Sequence, residues 1–223
     1  GGSWPTMYQE FDVPVSFAGI ITIIISLGTI ISSLMSDRMT YRLGAGKVTA
    51  ISVATTAIAL FGFSISGSFI ELCLWAIPYG LGAGGVDASL NNYVAVHYSS
   101  RIMSWLHCMW GLGAMTGPYI LSFVLTGGGT WNTGYKVVAF IQVVLTSFLI
   151  VSLPLWKKRE TVLDETGEEV PAKALSLKEV FAIKGAKDIM VAFFCYCALE
   201  QTAGLWASSY MVLHKGVAEE IAA

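Results

Sequence analysis

The sequence predicts an all-α membrane protein, a polytopic transmembrane helix bundle. Three observations carry that expectation. The chain is 55% hydrophobic and only 13% charged, about half the charge of an ordinary soluble domain. Its apolar residues gather in windows of about 20, the length that crosses a hydrocarbon core. Its basic residues fall almost wholly into alternate connections between those windows.

Six windows are expected to span: Val15–Met35, Val48–Ile70, Leu72–Val96, Met103–Thr126, Gly134–Trp156 and Asp188–Leu213. The connections after the first, third and fifth carry Arg38, Arg42, Lys47, Arg101, Lys157, Lys158, Arg159, Lys173, Lys178, Lys184 and Lys187. Of the 13 basic residues only Lys136 and Lys215 lie elsewhere. By the positive-inside rule the basic side is cytoplasmic, which places the chain in a plasma or bacterial inner membrane. The opening Gly1-Gly-Ser-Trp4-Pro5 is not a secretory signal, and both ends read as cut.

Residues 157–187 hold Glu160, Asp164, Glu165, Glu168 and Glu169 and are too charged for lipid. They are expected to form a cytoplasmic linker. Leu177, Val180, Phe181 and Ile183 recur near helical spacing, which fits a short amphipathic helix on the membrane surface. The domain reading is a five-helix bundle over 1–156, the linker over 157–187, and one further helix over 188–223.

Cys73, Cys108, Cys195 and Cys197 have neither zinc-site nor disulfide spacing, so no metal or cofactor is expected. Cys195 and Cys197, two apart on a helix, point to different faces. Gly80, Gly82, Gly84 and Gly85, and then Gly111, Gly113 and Gly117, are expected to let helix backbones approach closely. Pro118 can bend its helix by removing a backbone donor. Nucleic acid is excluded as a partner, because there is neither a basic face nor a basic-aromatic platform.

The chemistry lies in the polar residues of the apolar windows. Asp87 sits roughly 24 Å along its helix from Glu71 and ~16 Å from Tyr98. A carboxylate at such depth is costly unless paired or wetted, so it is expected to face the bundle interior and to exchange a proton. Asn91, four residues on, and Gly84, three back, share its face. Glu200, central in the last window, poses the same problem. His107 could pair with Asp87 or relay its proton. Trp110 and Trp206 are deep enough to line a cavity, whereas Trp131 and Trp156, at span ends, read as interfacial anchors. For each of these residues the competing reading is a packing role.

The stretch Ser33-Leu-Met-Ser-Asp37-Arg38-Met-Thr-Tyr-Arg42-Leu-Gly44 resembles the loop between the second and third helices of the major facilitator superfamily. Ser33 stands where that family has glycine, and extra residues separate Asp37-Arg38 from Arg42. The resemblance implies that Asp37, Arg38 and Arg42 form a conformational latch. It also implies a major-facilitator-like fold, of which this chain is the fragment covering helices two to seven of twelve. Asp87-Ala-Ser-Leu-Asn91 is similar to a helix-four pattern of the fucose permease group, where the acid serves substrate recognition and proton coupling. Trp110 takes the place of that group's helix-five asparagine, so the identity of the sugar does not carry over.

The expectation is a secondary active transporter, a proton-coupled symporter of a sugar or similar small polar metabolite. Its partners would be the bilayer, that substrate and the remaining helices of the full-length chain, with a proton gradient in place of a cofactor. Gly113-x-x-x-Gly117-Pro118 partly resembles the helix-five pattern of antiporters, which keeps an exporter of drugs or metabolites as the alternative. An intramembrane enzyme would need a His-Glu-x-x-His or Gly-x-Ser-x-Gly motif, and neither occurs. A receptor or scaffold would leave two deep acids without a task.

Overall fold

The computed structural model describes residues 2–156, 161–163, 169–171 and 177–222. A short helix α1 (Trp4–Glu10) precedes the first span, α2 (Ala18–Leu43), which opens on a 3-10 turn at Val15–Phe17. Then come α3 (Ala45–Ile65), α4 (Phe69–His97), α5 (Ser100–Thr126) and α6 (Trp131–Ser152). A hairpin of β1 (Thr161–Leu163) and β2 (Glu169–Pro171), the short α7 (Leu177–Ala182), the long α8 (Ala186–Lys215) and the short α9 (Glu219–Ala222) follow. Among the described residues, six helices are long and apolar enough to cross a membrane.

Local chemistry sets several of the ends. Ser68 caps α4 by accepting the Glu71 N–H at 3.3 Å, while the Glu71 carboxylate accepts the Gly67 N–H at 2.7 Å, a reciprocal arrangement close to a capping box. Thr130 caps α6 in the same way, accepting from the Thr133 N–H. Gly216 ends α8 at φ 65°, a conformation that glycine adopts without penalty.

One boundary differs from the sequence expectation. Asp37, Arg38 and Arg42, read as loop residues, lie in the last turns of α2, and Gly44 alone separates α2 from α3. The apolar window ends at Met35, but a helix continues outside lipid wherever its residues favour it. Gly44, at φ 83°, supplies the break.

The packing inverts the soluble pattern. On α2 the buried positions include Gly28, Ser32, Ser36 and Thr40, one every fourth residue, while Ile23, Leu27, Ile31 and Leu34 are exposed. Lipid solvates the apolar side, so association relies on close approach and hydrogen bonds between small residues. The α2 stripe faces α4, where a Cβ at Gly80 or Gly84 would run into the backbone carbonyls of Ile25 and Thr29. At that distance Thr29 Oγ1 donates to the Gly80 carbonyl at 3.2 Å and Ser33 Oγ to the Gly84 carbonyl at 3.3 Å. On the other side of α4, Gly82 and Gly85 admit Ser52 of α3. Buried Ser89 ties together the end of α2 and the start of α3, 3.3 Å from Thr40 Oγ1 and 3.4 Å from the Ala45 carbonyl.

The outer layer is looser. α3 packs on α6, where Thr56 Oγ1 reaches Gln142 Oε1 at 3.2 Å and Asn132 Nδ2 donates to the Ser64 carbonyl at 3.3 Å. α5 leans on α6 and has no buried residue. Here the close-approach expectation fails: a Cβ at Gly111, Gly113 or Gly117 would meet nothing within 4 Å. Each of the three faces open space, so its small size is not used among the described residues.

At the end of the bundle where α2, α4 and α6 begin, α1 folds over the opening. Trp4 and Met7 are buried, Trp4 Nε1 donates to the Val15 carbonyl at 2.7 Å, and Trp131 Nε1 donates to Glu10. Trp131 is 1% exposed, which corrects its reading as an interfacial anchor. Trp156, half-buried, has its ring against Gly46 and 4.8 Å from the Tyr93 ring. At Trp131 a distant segment covers an indole that sequence position alone would leave to the headgroups. α8 is mostly open, touching α1, α7 and α9.

Candidate functional site

Asp87 stands one turn beyond Gly84 on α4, past the stretch where α2 and α3 press closest. Its side chain is exposed, and Asn91 Nδ2 donates to its Oδ1 at 2.9 Å. The four-residue spacing that predicts a shared face therefore produces a direct contact. Asn91 satisfies one carboxylate oxygen and leaves the other open to a proton or a ligand hydroxyl. Among the described residues Asn91 is the hydrogen-bond partner of Asp87, and no ion pair neutralises it.

The other candidates are dispersed. His107 and Trp110 lie on the open side of α5, with Trp110 53% exposed. Among the described residues no hydrogen bond joins His107 to Asp87, so the structure does not bring the expected relay together. Glu200 lies half-buried on α8, where it takes a hydrogen bond with Tyr196 one turn earlier. Trp206, also on α8, packs partly buried against the core that holds Trp4 and Trp131. Asp37, Arg38 and Arg42 are exposed on the final turns of α2. Arg38 and Arg42 are one turn apart and so share a face, and Asp37 points from a neighbouring one. Among the described residues, no group of three metal-ligating side chains comes together.

Sequence reasoning passed over a second polar group. Beneath α1 lies a cavity of about 230 Å³ bordered by Ser3, Trp4, Phe63, Tyr79 and Tyr135. The only sequence signal was tyrosine within apolar windows, which fits packing equally well.

The six-span bundle with a small-residue interface now meets its sequence relatives. Residues 1–223 match the family model of the Major Facilitator Superfamily. This chain belongs to the Major Facilitator Superfamily. The chain is similar to an uncharacterized transporter of Sinorhizobium fredii (strain NBRC 101917 / NGR234), y4wD, with 23% identity over 159 residues, 68% of this chain and 40% of that protein. It is also similar to the glucose/mannose transporter GlcP of Bacillus subtilis (strain 168), 21% identical over 162 residues, 72% of this chain and 40% of that protein. The chain thus spans about 40% of the length of the curated superfamily relatives it matches. Both relatives are described as transporters.

Proposed function

We propose that the intact protein is a secondary active transporter, a proton-coupled symporter of a sugar or similar small polar metabolite. The six spans correspond to helices two to seven of twelve. Residues 1–156 belong to the first bundle, 157–187 to the cytoplasmic linker and 188–223 to the opening of the second bundle. The two bundles rock about a midplane site and expose it to each side in turn. One observation carries the reading: the Asp87 carboxylate, on an apolar helix of this superfamily, is exposed and, among the described residues, held by Asn91. GlcP, described as a glucose/mannose transporter, favours a sugar.

In this mechanism Asp87 takes up the proton and Asn91 offers its amide to the substrate. Glu200 contributes from the opposing bundle, with His107 and Trp110 bordering the path from α5. Protonation removes the charge that is most expensive to enclose in low dielectric, so the loaded carrier closes more readily than one carrying a bare carboxylate. Asp37, Arg38 and Arg42 act at the cytoplasmic end of α2, latching one conformation.

The test uses the full-length protein in proteoliposomes with an imposed pH gradient and labelled glucose. Asp87→Asn, isosteric but without a titratable group, is expected to abolish uphill uptake while counterflow exchange continues. Uphill uptake by Asp87→Asn equal to the parent's would overturn the assignment. Proton-driven efflux in place of uptake would establish the exporter instead.

A further inference from the structure

The cavity beneath α1 has a definite chemical character. Its volume of about 230 Å³ equals that of about eight waters at ~30 Å³ each. That falls short of the ~300 Å³ at which drug-sized pockets begin, so the occupant is a small metabolite. None of its lining residues is charged, so an ionic occupant would lose its hydration without gaining a counter-charge. Trp4 and Phe63 present aromatic rings, while Ser3, Tyr79 and Tyr135 bring hydroxyls.

The protein itself uses only part of this hydroxyl capacity. Ser3 Oγ donates to Met7 Sδ at 3.3 Å and lies 3.5 Å from the Tyr135 hydroxyl, long for an O–H···O bond. The Tyr79 side chain is half-buried and borders the cavity. Its hydroxyl has no hydrogen-bond partner among the described residues, whose side-chain bonds in this region run from Ser3, Trp4 and Thr22. A hydroxyl that faces a cavity without a protein partner is free to be completed by water or a ligand.

We propose that this cavity is a second small-molecule site, taking a neutral, hydroxyl-bearing ring of hexose size. The ring's C–H face lies on Trp4 and Phe63, and its hydroxyl edge meets Tyr79 and Tyr135. Tyr79 precedes Asp87 by eight residues, about 12 Å along α4, so the two sites are separate. That the cavity serves as a waiting place for cargo rests on the transport reading; that it binds does not.

Equilibrium dialysis of the detergent-purified full-length protein against labelled D-glucose tests the proposal, with gluconate as the charged comparison. Binding is read in an Asn91→Ala background to weaken the other site. Tyr79→Phe is expected to raise the glucose half-saturation concentration about three- to tenfold, the worth of one neutral hydrogen bond. Thermal unfolding should not change, because this hydroxyl holds no protein partner that the substitution could break. Ala18→Leu, which adds carbon to the cavity wall, is expected to abolish the binding. Parental half-saturation in both variants, gluconate binding as tightly as glucose, or no glucose binding at all would overturn the site. Failure of the transport reading shows elsewhere, as undiminished uphill flux in Asp87→Asn.

Discussion

Gly82→Ala is the sharpest test of how the bundle is held together. A Cβ at this position would lie 2.7 Å from the Ser52 carbonyl oxygen and 2.7 Å from Thr56 Cγ2. Ordinary van der Waals contact begins at 3.4 Å, so α3 and α4 must part by roughly 0.7 Å or the Thr56 side chain must turn. The carbonyl belongs to a helix backbone and cannot turn alone. Overpacking of this kind costs about 1–3 kcal/mol. Moving Thr56 also endangers its 3.2 Å contact with Gln142, about 0.6 kcal/mol for an interhelical bond in a membrane. Against this, alanine gains up to about 1 kcal/mol over glycine in helix propensity. The net expectation is a loss of about 1–3 kcal/mol.

Gly117→Ala meets nothing within 4 Å and keeps only the propensity gain, so it should be neutral or stabilising by up to about 1 kcal/mol. Both variants of the chain would be unfolded in mixed micelles of rising dodecyl sulfate fraction, with helix content followed by circular dichroism. Unfolding of Gly82→Ala at the same detergent fraction as the parent, or a higher one, would refute the close-packing argument.

Other expectations follow from the same geometry. Trp131→Ala should cost about 3–5 kcal/mol in that assay, as for other large buried aromatics, because the indole is almost wholly enclosed beneath α1. Glu10→Gln should cost only about 1 kcal/mol, since an amide oxygen still accepts from Trp131 but without charge assistance. Orientation can be read by single-cysteine labelling of intact cells after replacement of the native cysteines. Gly67→Cys, in the α3–α4 connection, should react with a membrane-impermeant maleimide, and Ser99→Cys, in the α4–α5 connection, should not.

Much of the architecture was legible because its causes are local. An apolar window of about 20 residues specifies a span whatever lies beside it, and all six windows reappear as long helices. The Asp87–Asn91 contact was legible for the same reason, because a four-residue step returns to the same face. The α4 glycines announced close packing, and α4 bears it out. Identical reasoning failed on α5, because a small residue permits an approach without naming the neighbour that makes it.

By itself the sequence determined the solvent, the number of spans and the residues too polar for lipid, since each of these depends on a residue and its near neighbours. Tertiary structure decided which faces meet. The four-residue stripe of Gly28, Ser32, Ser36 and Thr40 faces α4, and no local pattern separates such a stripe from small residues turned to lipid. The covering of Trp131 by a segment more than a hundred residues earlier, and the hollow bordered by Tyr79 and Tyr135, likewise depend on contacts that close only when distant helices are in place. Lipid supplies no net drive for helix to meet helix. Shape and a few long-range hydrogen bonds therefore choose the partners, and neither is written in any single window of sequence.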